Sequence, residues 1–373
     1  MAGSVIRHLL SSALLAISVQ CASAYGPSTR TERDGFVIDV ASNGGNCTGC
    51  EWMVVDGKIP PDADKLLEAW IKKNDYGGIA LTVVMNSGGG NLLGGIRLGQ
   101  AIRRLGLKTE IGRTSPDSDV PTSQTQGPGG CYSACAYAFL GGVQRTVNTG
   151  TYGVHQFYSD AYFDAPTQKA FTAADLSAQQ ALTGVILAYV VEMGVDPQVV
   201  VAANRMRPDE IYKPTDAQLR DWKVAYEPDA YGKWQVEPFK DGVVIFSRTQ
   251  NGRSQLSLTC GRSGAELLLT RKGLAAKYVD DVARSYATME SFSLFDRVVP
   301  RASTKFTKTA DGLALRIPLA KTDLDTMQAY RMKTGGLSAG PNEPHSNMDV
   351  FQDALPVEGL ERHVRLLRRN CAS

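Results

Sequence analysis

The chain lacks an excess of charge of either sign: 40 lysines and arginines stand against 38 aspartates and glutamates, leaving +2 over 373 residues. No global field recruits nucleic acid or an anionic lipid surface, so neither partner is expected. After residue 24 no apolar run approaches the roughly 18 to 20 residues of a membrane helix, and no integral membrane segment is expected once a leader is removed. The glycine loop at 88–90 lacks the Gly-Lys-Ser/Thr ending of a P-loop. Leu93 stands where a dinucleotide fingerprint needs its third glycine, which argues against nucleotide binding. Cys47, Cys50, Cys131 and Cys135 lack the second short spacing of a four-thiolate zinc site, so no metal and no cofactor are expected. Histidine is scarce, with four in all.

What the chain does have begins with a leader. Arg7 precedes an apolar stretch from Leu9 to Val19, and Ala22-Ser23-Ala24 matches the small-residue rule for signal cleavage before Tyr25. A periplasmic or secreted protein is expected, with residues 1–24 as signal peptide. Cys21 leaves with the signal. The six remaining cysteines form an even set, which in an exported chain favours disulfides. Cys260 and Cys371 lie apart from the others and are expected to pair. Cys47-Thr48-Gly49-Cys50 leads into the strand-like Glu51-Trp52-Met53-Val54-Val55 rather than a helix, so a structural bridge is favoured over a redox pair.

At this length two domains are the natural expectation. Residues 25–35 read as a polar, unstructured leader, with order starting at Phe36. Glu51 to Val55 reads as a strand, and Leu66, Leu67, Trp70 and Ile71 recur at helical spacing. Ile79 to Met85 reads as a buried strand, Leu92 to Leu105 as a helix and Lys108 to Gly112 as the next strand. Strand, glycine loop, helix, strand is a parallel α/β unit. The stretch Thr114 to Gly130 is poor in apolar residues and reads as a surface loop. Leu182, Ile186, Tyr189, Val190 and Met193 mark one face of a long helix closed by Gly194. Asp196-Pro197 caps another helix, and Thr215 with Gln218 forms a capping box for a third. After about Tyr231 short β-like runs predominate, so residues 36–230 are expected to form the α/β domain. Residues 231–373 then form a smaller strand-rich domain ending in an amphipathic helix from Leu360 to Arg369.

Three segments bear on chemistry. The turn Asn86-Ser87-Gly88-Gly89-Gly90 joins a strand to a helix, where free backbone N–H groups can hold an oxyanion. Ser133 lies between small residues where loop becomes helix, with the N–H of Ala134 beside it. Serine needs a base to become a nucleophile, and His155, in Gly153-Val154-His155-Gln156-Phe157, is the one histidine of the α/β half after the leader. Together these segments resemble the Clp protease proteolytic subunit, within the wider crotonase-like fold group. The resemblance runs from about Glu51 to Tyr226. The glycine turn is similar to the family's Asn-Ser-Pro-Gly-Gly loop, Tyr132-Ser133-Ala134 to its nucleophile turn, and Val154-His155-Gln156 to its Ile-His-Gln segment.

The resemblance implies a ClpP/crotonase-like α/β fold with parallel strands and helices, followed by the strand-rich domain. It implies Ser133 as nucleophile, His155 as general base, and the N–H groups of Gly89 and Ala134 as oxyanion donors. Its third member matches Asp209 in Arg207-Pro208-Asp209-Glu210-Ile211, with Glu210 and Asp196 as substitutes. Gly88 replaces the family's loop proline, the 114–130 loop is longer, and cysteines flank the nucleophile turn. The expected activity is a serine peptidase that cleaves peptides or unfolded polypeptides without ATP, as a monomer or a homo-oligomer. An acyl-ester or thioester hydrolase, or a noncatalytic envelope-binding protein on the same scaffold, is the competing reading.

Overall fold

The computed structural model describes residues 29–47, 49–76, 81–120, 122–158, 172–239, 242–261, 264–295, 297–329, 338–341 and 348–369. The signal segment, its cleavage site at Ala24 and Cys371 lie outside these residues.

Strand β1 (Thr31–Arg33) turns back onto β2 (Phe36–Ser42) through Asp34 and Gly35, whose φ values are 51° and 77°. An Asp-Gly pair at positive φ matches the right-handed twist of a two-residue hairpin. This corrects the expected start of order at Phe36, because residues 31–33 of the supposed leader are paired strand. Next come β3 (Glu51–Asp56), helix α1 (Ala63–Lys73), β4 (Thr82–Asn86), helix α2 (Leu92–Arg104) and β5 (Lys108–Ile111). Helix α1 buries Ala63, Leu67, Trp70 and Ile71, one stripe at helical spacing, and carries Lys72 and Lys73 where the helix dipole favours cations. Each such large apolar side chain contributes roughly 1.5–3 kcal/mol on burial.

The segment read as a loop from Thr114 to Gly130 contains a hairpin, β6 (Arg113–Pro116) against β7 (Gln124–Gly127), with Thr114 opposite Gln126. Polar contacts hold it in place of a core: Trp52 Nε1 donates to Thr114 Oγ1 at 2.9 Å, and Ser42 N donates to Gln124 Oε1 at 2.8 Å. A strand pair without apolar alternation leaves no periodic trace in the sequence. The chain then forms β8 (Cys131–Tyr132), helix α3 (Ala134–Phe139), β9 (Arg145–Thr146) and β10 (Tyr152–Gly153).

Strands β1, β2, β3, β4, β5 and β9 make one sheet in that order. β3, β4, β5 and β9 are mutually parallel, while β1 and β2 are antiparallel additions. Strands β8 and β10 form a separate parallel pair. The α-helices α4 (Ala173–Glu192), α5 (Gln198–Arg205) and α6 (Asp216–Asp221) follow. Capping boxes start α4, from Thr172 with Asp175, and α6, from Thr215 with Gln218.

Helix α4 also corrects an expectation. Its residues 174–192 have a mean hydropathy of 1.2 and meet the length and composition of a membrane span. Its last turns belong to the core, where Ile186, Tyr189 and Val190 are buried and the Tyr189 hydroxyl donates to the Tyr137 carbonyl at 2.7 Å. Leu176, Val185, Leu187 and Val191 are exposed on the same helix.

Beyond residue 230 an antiparallel six-stranded sheet runs in the order 235–239, 242–248, 254–261, 264–272, 312–319, 305–309. The helix Leu360–Arg369 buries Leu360, Val364 and Leu367. The two large sets of buried apolar residues are separate, one drawn from residues 36–224 and the other from 234–367.

Two arginines, one of them buried, brace the far end of α3. Arg145, 3% exposed, donates to the carbonyls of Lys223 (2.7 Å), Gly142 (2.9 Å), Val224 (3.0 Å), Leu140 (3.1 Å) and Met193 (3.5 Å). Arg103 adds a bond from Nε to the Gly141 carbonyl at 2.8 Å. Both charges sit where α3 exposes carbonyl groups without intrahelical partners. Burial pushes the Arg145 guanidinium down to about 10, still charged at neutral pH. Arg145→Met should therefore lower the unfolding free energy by about 3 kcal/mol or more, since several buried acceptors lose a charged donor at once. Urea unfolding at pH 7 measures this, and a loss below about 1 kcal/mol would show that the carbonyls find other partners.

Candidate functional site

The site forms where two strand ends and one glycine turn meet. β4 ends at Asn86, whose side chain ties the turn to its surroundings: Nδ2 donates to Asp56 Oδ2 at 3.0 Å, and Oδ1 accepts from the Gly130 N–H at 3.1 Å. Ser87 then exchanges backbone bonds with the next segment, donating to the Gly130 carbonyl at 2.7 Å and accepting from Tyr132 N at 3.0 Å. This places the glycine turn against β8 and the residue that follows it.

That residue, Ser133, caps α3 at φ 59°, ψ −124°. A side chain rarely adopts this backbone, and holding it costs about 1–3 kcal/mol, which the surroundings must offset. The Ser133 N–H donates to the Gly153 carbonyl at 3.1 Å, and its carbonyl accepts from Ala136 N at 3.0 Å. Its side chain is half-buried and makes no cap hydrogen bond. Gly89 lies directly opposite, at φ 117°; a Cβ there would stand 2.7 Å from Ser133 Cβ and 3.2 Å from Ser133 Oγ. Glycine is required on both counts, by the left-handed backbone and by the close approach.

The parallel register of β8 and β10, Cys131 beside Tyr152 and Tyr132 beside Gly153, carries His155 to the same end of the pair as Ser133. A bridge between Val154 and Tyr212, bonded both ways at 3.0 and 2.8 Å, fixes the backbone just before it. The His155 ring is buried and stacks on Tyr158, centroids 5.7 Å apart. Its Nδ1 lies 2.8 Å from the Gln156 carbonyl. A carbonyl only accepts, so that bond requires the proton on Nδ1 and leaves the Nε2 lone pair of the neutral ring as the basic position. Among the described residues no hydrogen bond joins Ser133 Oγ to the imidazole.

The two expected oxyanion donors differ. The N–H of Ala134 opens α3 and has no acceptor among the described residues, as expected of a first-turn amide. The N–H of Gly89 donates to Ser87 Oγ at 3.1 Å, so it is already engaged.

Asp209 is not brought to His155. Its carboxylate is about half exposed, 48%, and pairs with Arg207 at 3.2 Å. This corrects the expectation of a recessed acid, although the bridge at Tyr212 does return the chain to the neighbourhood of His155. The substitutes serve backbone caps: Glu210 Oε2 accepts from Arg207 N at 3.1 Å, and Asp196 Oδ1 from Gln198 N at 2.8 Å, both on exposed residues. The group on the far nitrogen of His155 is a main-chain carbonyl, which no residue-type motif can reveal. Ser87 also went unassigned in the sequence, although a hydroxyl two residues before a loop amide is a recognisable turn signal.

The cysteines form bridges. Cys47 pairs with Cys50 and Cys131 with Cys135, and Cys260 is disulfide-bonded as well. The expected partner Cys371 is outside the described residues. No set of three or more His, Cys, Asp or Glu side chains able to hold a metal occurs among the described residues.

No family model matches the chain, and no curated protein matches it. Among solved structures, a mutant of the 1510-N membrane-bound stomatin-specific protease aligns over 46% of this chain and 75% of its own, with 14% identity and a TM-score of 0.30. A mutant of ClpP1 from Listeria monocytogenes aligns over 46% and 86%, with 12% identity and a TM-score of 0.29. Similarity at that level transfers no residue role.

The close approach of the glycine turn has a measurable consequence. Gly89→Ala should destabilise the fold by at least about 1 kcal/mol, because the added methyl meets Ser133 Cβ from a backbone that alanine disfavours. An unchanged thermal midpoint in Gly89→Ala would show that the turn and Ser133 are farther apart than described.

Proposed function

We propose that the chain is an exported serine hydrolase of ClpP/crotonase-like fold, acting on peptides or unfolded polypeptides. Ser133 is the nucleophile and His155 the base. The reading is carried by a serine held at positive φ against a glycine turn, with a buried histidine, its Nδ1 committed to a carbonyl, following the neighbouring strand at the same end. Sharp strand-to-helix turns of this kind present a hydroxyl at a helix N-terminus, and a fixed tautomer presents Nε2 to receive its proton.

In the proposed reaction Ser133 Oγ attacks the substrate carbonyl while His155 Nε2 takes the hydroxyl proton. The oxyanion is received by the Ala134 N–H. The Gly89 N–H joins it once released from Ser87 Oγ. The leaving amine collects the proton from Nε2, and a water activated at the same nitrogen hydrolyses the acyl-serine. The Gln156 carbonyl takes the orienting role that Asp209 was expected to play. It fixes the ring without a full negative charge, so it stabilises the imidazolium less than a carboxylate does.

Two bridges, with Cys260 in a third, fit an oxidising compartment. Export by a signal cleaved after Ala24 accords with them, and in such a compartment the substrate is taken without an ATP-driven partner. Two domains, divided near residue 230, accord with the two separate cores. The exposed Leu176, Leu187 and Val191 lie on one side of α4, the surface we assign to contact between like copies in a homo-oligomer.

Ser133→Ala and His155→Ala should each reduce the rate of fluorophosphonate labelling and of peptide turnover by roughly a thousandfold or more, and the double mutant should be no worse than either, since the pair acts as a unit. Additive losses in the double mutant would mean that the two residues act separately. Asp209→Asn should stay within about twofold of wild type, because an exposed ion pair contributes little. A loss of several powers of ten there would restore Asp209 as the orienting acid and remove Gln156 from that role.

A further inference from the structure

We infer that the disulfide between Cys131 and Cys135 is a positioning element for Ser133, an inference that rests on the reading of Ser133 as nucleophile. The bridge spans a sequence separation of 4 with Ser133 at its centre. One end lies in β8, where Cys131 N donates to the Thr151 carbonyl at 2.8 Å, and the other in the first turn of α3. The covalent ring thus closes across the strand-to-helix turn itself, and the backbone angles it restrains most are those of Tyr132, Ser133 and Ala134.

Hydrogen bonds to Ser133 itself are few. The Ser133 side chain caps nothing, α3 has only 6 residues, and the main-chain bonds of Ser133 are one to Gly153 and one from Ala136. Without a further tie, a serine would be expected to relax towards negative φ and withdraw its hydroxyl from Gly89. The bridge supplies that tie from beneath. Both sulfur-bearing residues are fully buried at 0% exposure, whereas Ser133 is half-buried. A bridge so placed is closed to reductants in the folded protein, so it acts as a fixed brace and not as a switch. It differs in this from Cys47–Cys50, whose Cys47 is exposed and which precedes β3 away from the turn. A ring this short restrains few residues of the unfolded chain, so its main effect should fall on local geometry and less on global stability.

The test uses the full mature chain carrying Cys131→Ala and Cys135→Ala together, so that no lone thiol remains. The expected result is a fall of roughly a hundredfold in fluorophosphonate labelling and in kcat, the size of loss that follows a small misplacement of a reacting group, with KM for a peptide within about twofold of wild type. A crystal structure of the variant should show Ser133 at negative φ with the rest of the α/β fold intact. Labelling at the wild-type rate, or Ser133 still at positive φ, overturns the inference. If the alanine pair fails to fold, Cys131→Val with Cys135→Ala refills most of the lost volume and carries the same comparison. Wild-type protein that takes no label at all sinks the proposed hydrolase instead. In that case the φ of Ser133 in the variant crystal still decides whether the bridge holds the turn.

Discussion

A single backbone conformation, the left-handed turn at Ser133, sets the requirements that the neighbouring residues meet. With φ at 59° the chain leaves β8 and enters α3 within one residue, and the hydroxyl is thrown to the side of the glycine turn. Only a residue without Cβ fits opposite, and Gly89 stands there. The Gly153 carbonyl that receives the Ser133 N–H belongs to the strand whose continuation is His155, so the bond that stabilises the turn also ties it to the segment carrying the imidazole. Arg145 and Arg103 secure the opposite end of α3 by binding carbonyls that would otherwise be buried without donors. The turn is therefore braced from the strand, from the helix end and through a covalent bridge.

The partner that orients the His155 ring differs from the expected one. A carboxylate on Nδ1 would both fix the tautomer and stabilise the imidazolium. The Gln156 carbonyl at 2.8 Å fixes the tautomer with a dipole alone. The bond from Gly89 N to Ser87 Oγ likewise leaves one of the two amides proposed for the oxyanion already engaged.

Elements whose formation depends on periodicity were legible in the sequence. Helix α2 runs from Leu92 to Arg104 with Leu105 as its cap, the box at Thr215 and Gln218 opens α6, and the terminal helix buries Leu360, Val364 and Leu367. Elements held by polar contacts were not. The hairpin at 113–127 has no apolar face, and β1 is three polar residues whose trace in the sequence is the Asp34-Gly35 hairpin signal. Within the candidate site, the close approach of Gly89 to Ser133 is one feature that a residue type can announce, because it demands a glycine. The partner of His155 was not legible, since every residue has a carbonyl. Asp209 drew attention by its type and place, yet Arg207, two positions earlier, holds its carboxylate at the surface.

The account stands on Ser133 as a hydroxyl of enhanced reactivity, and the most direct measurement is the location of a covalent adduct. Purified protein treated with a fluorophosphonate, digested after reduction and read by tandem mass spectrometry should carry one phosphonyl group on the peptide that contains Cys131, Ser133 and Cys135, with the fragment ions assigning it to Ser133. An adduct on another serine, or none at concentrations that label ordinary serine hydrolases to completion, would contradict it.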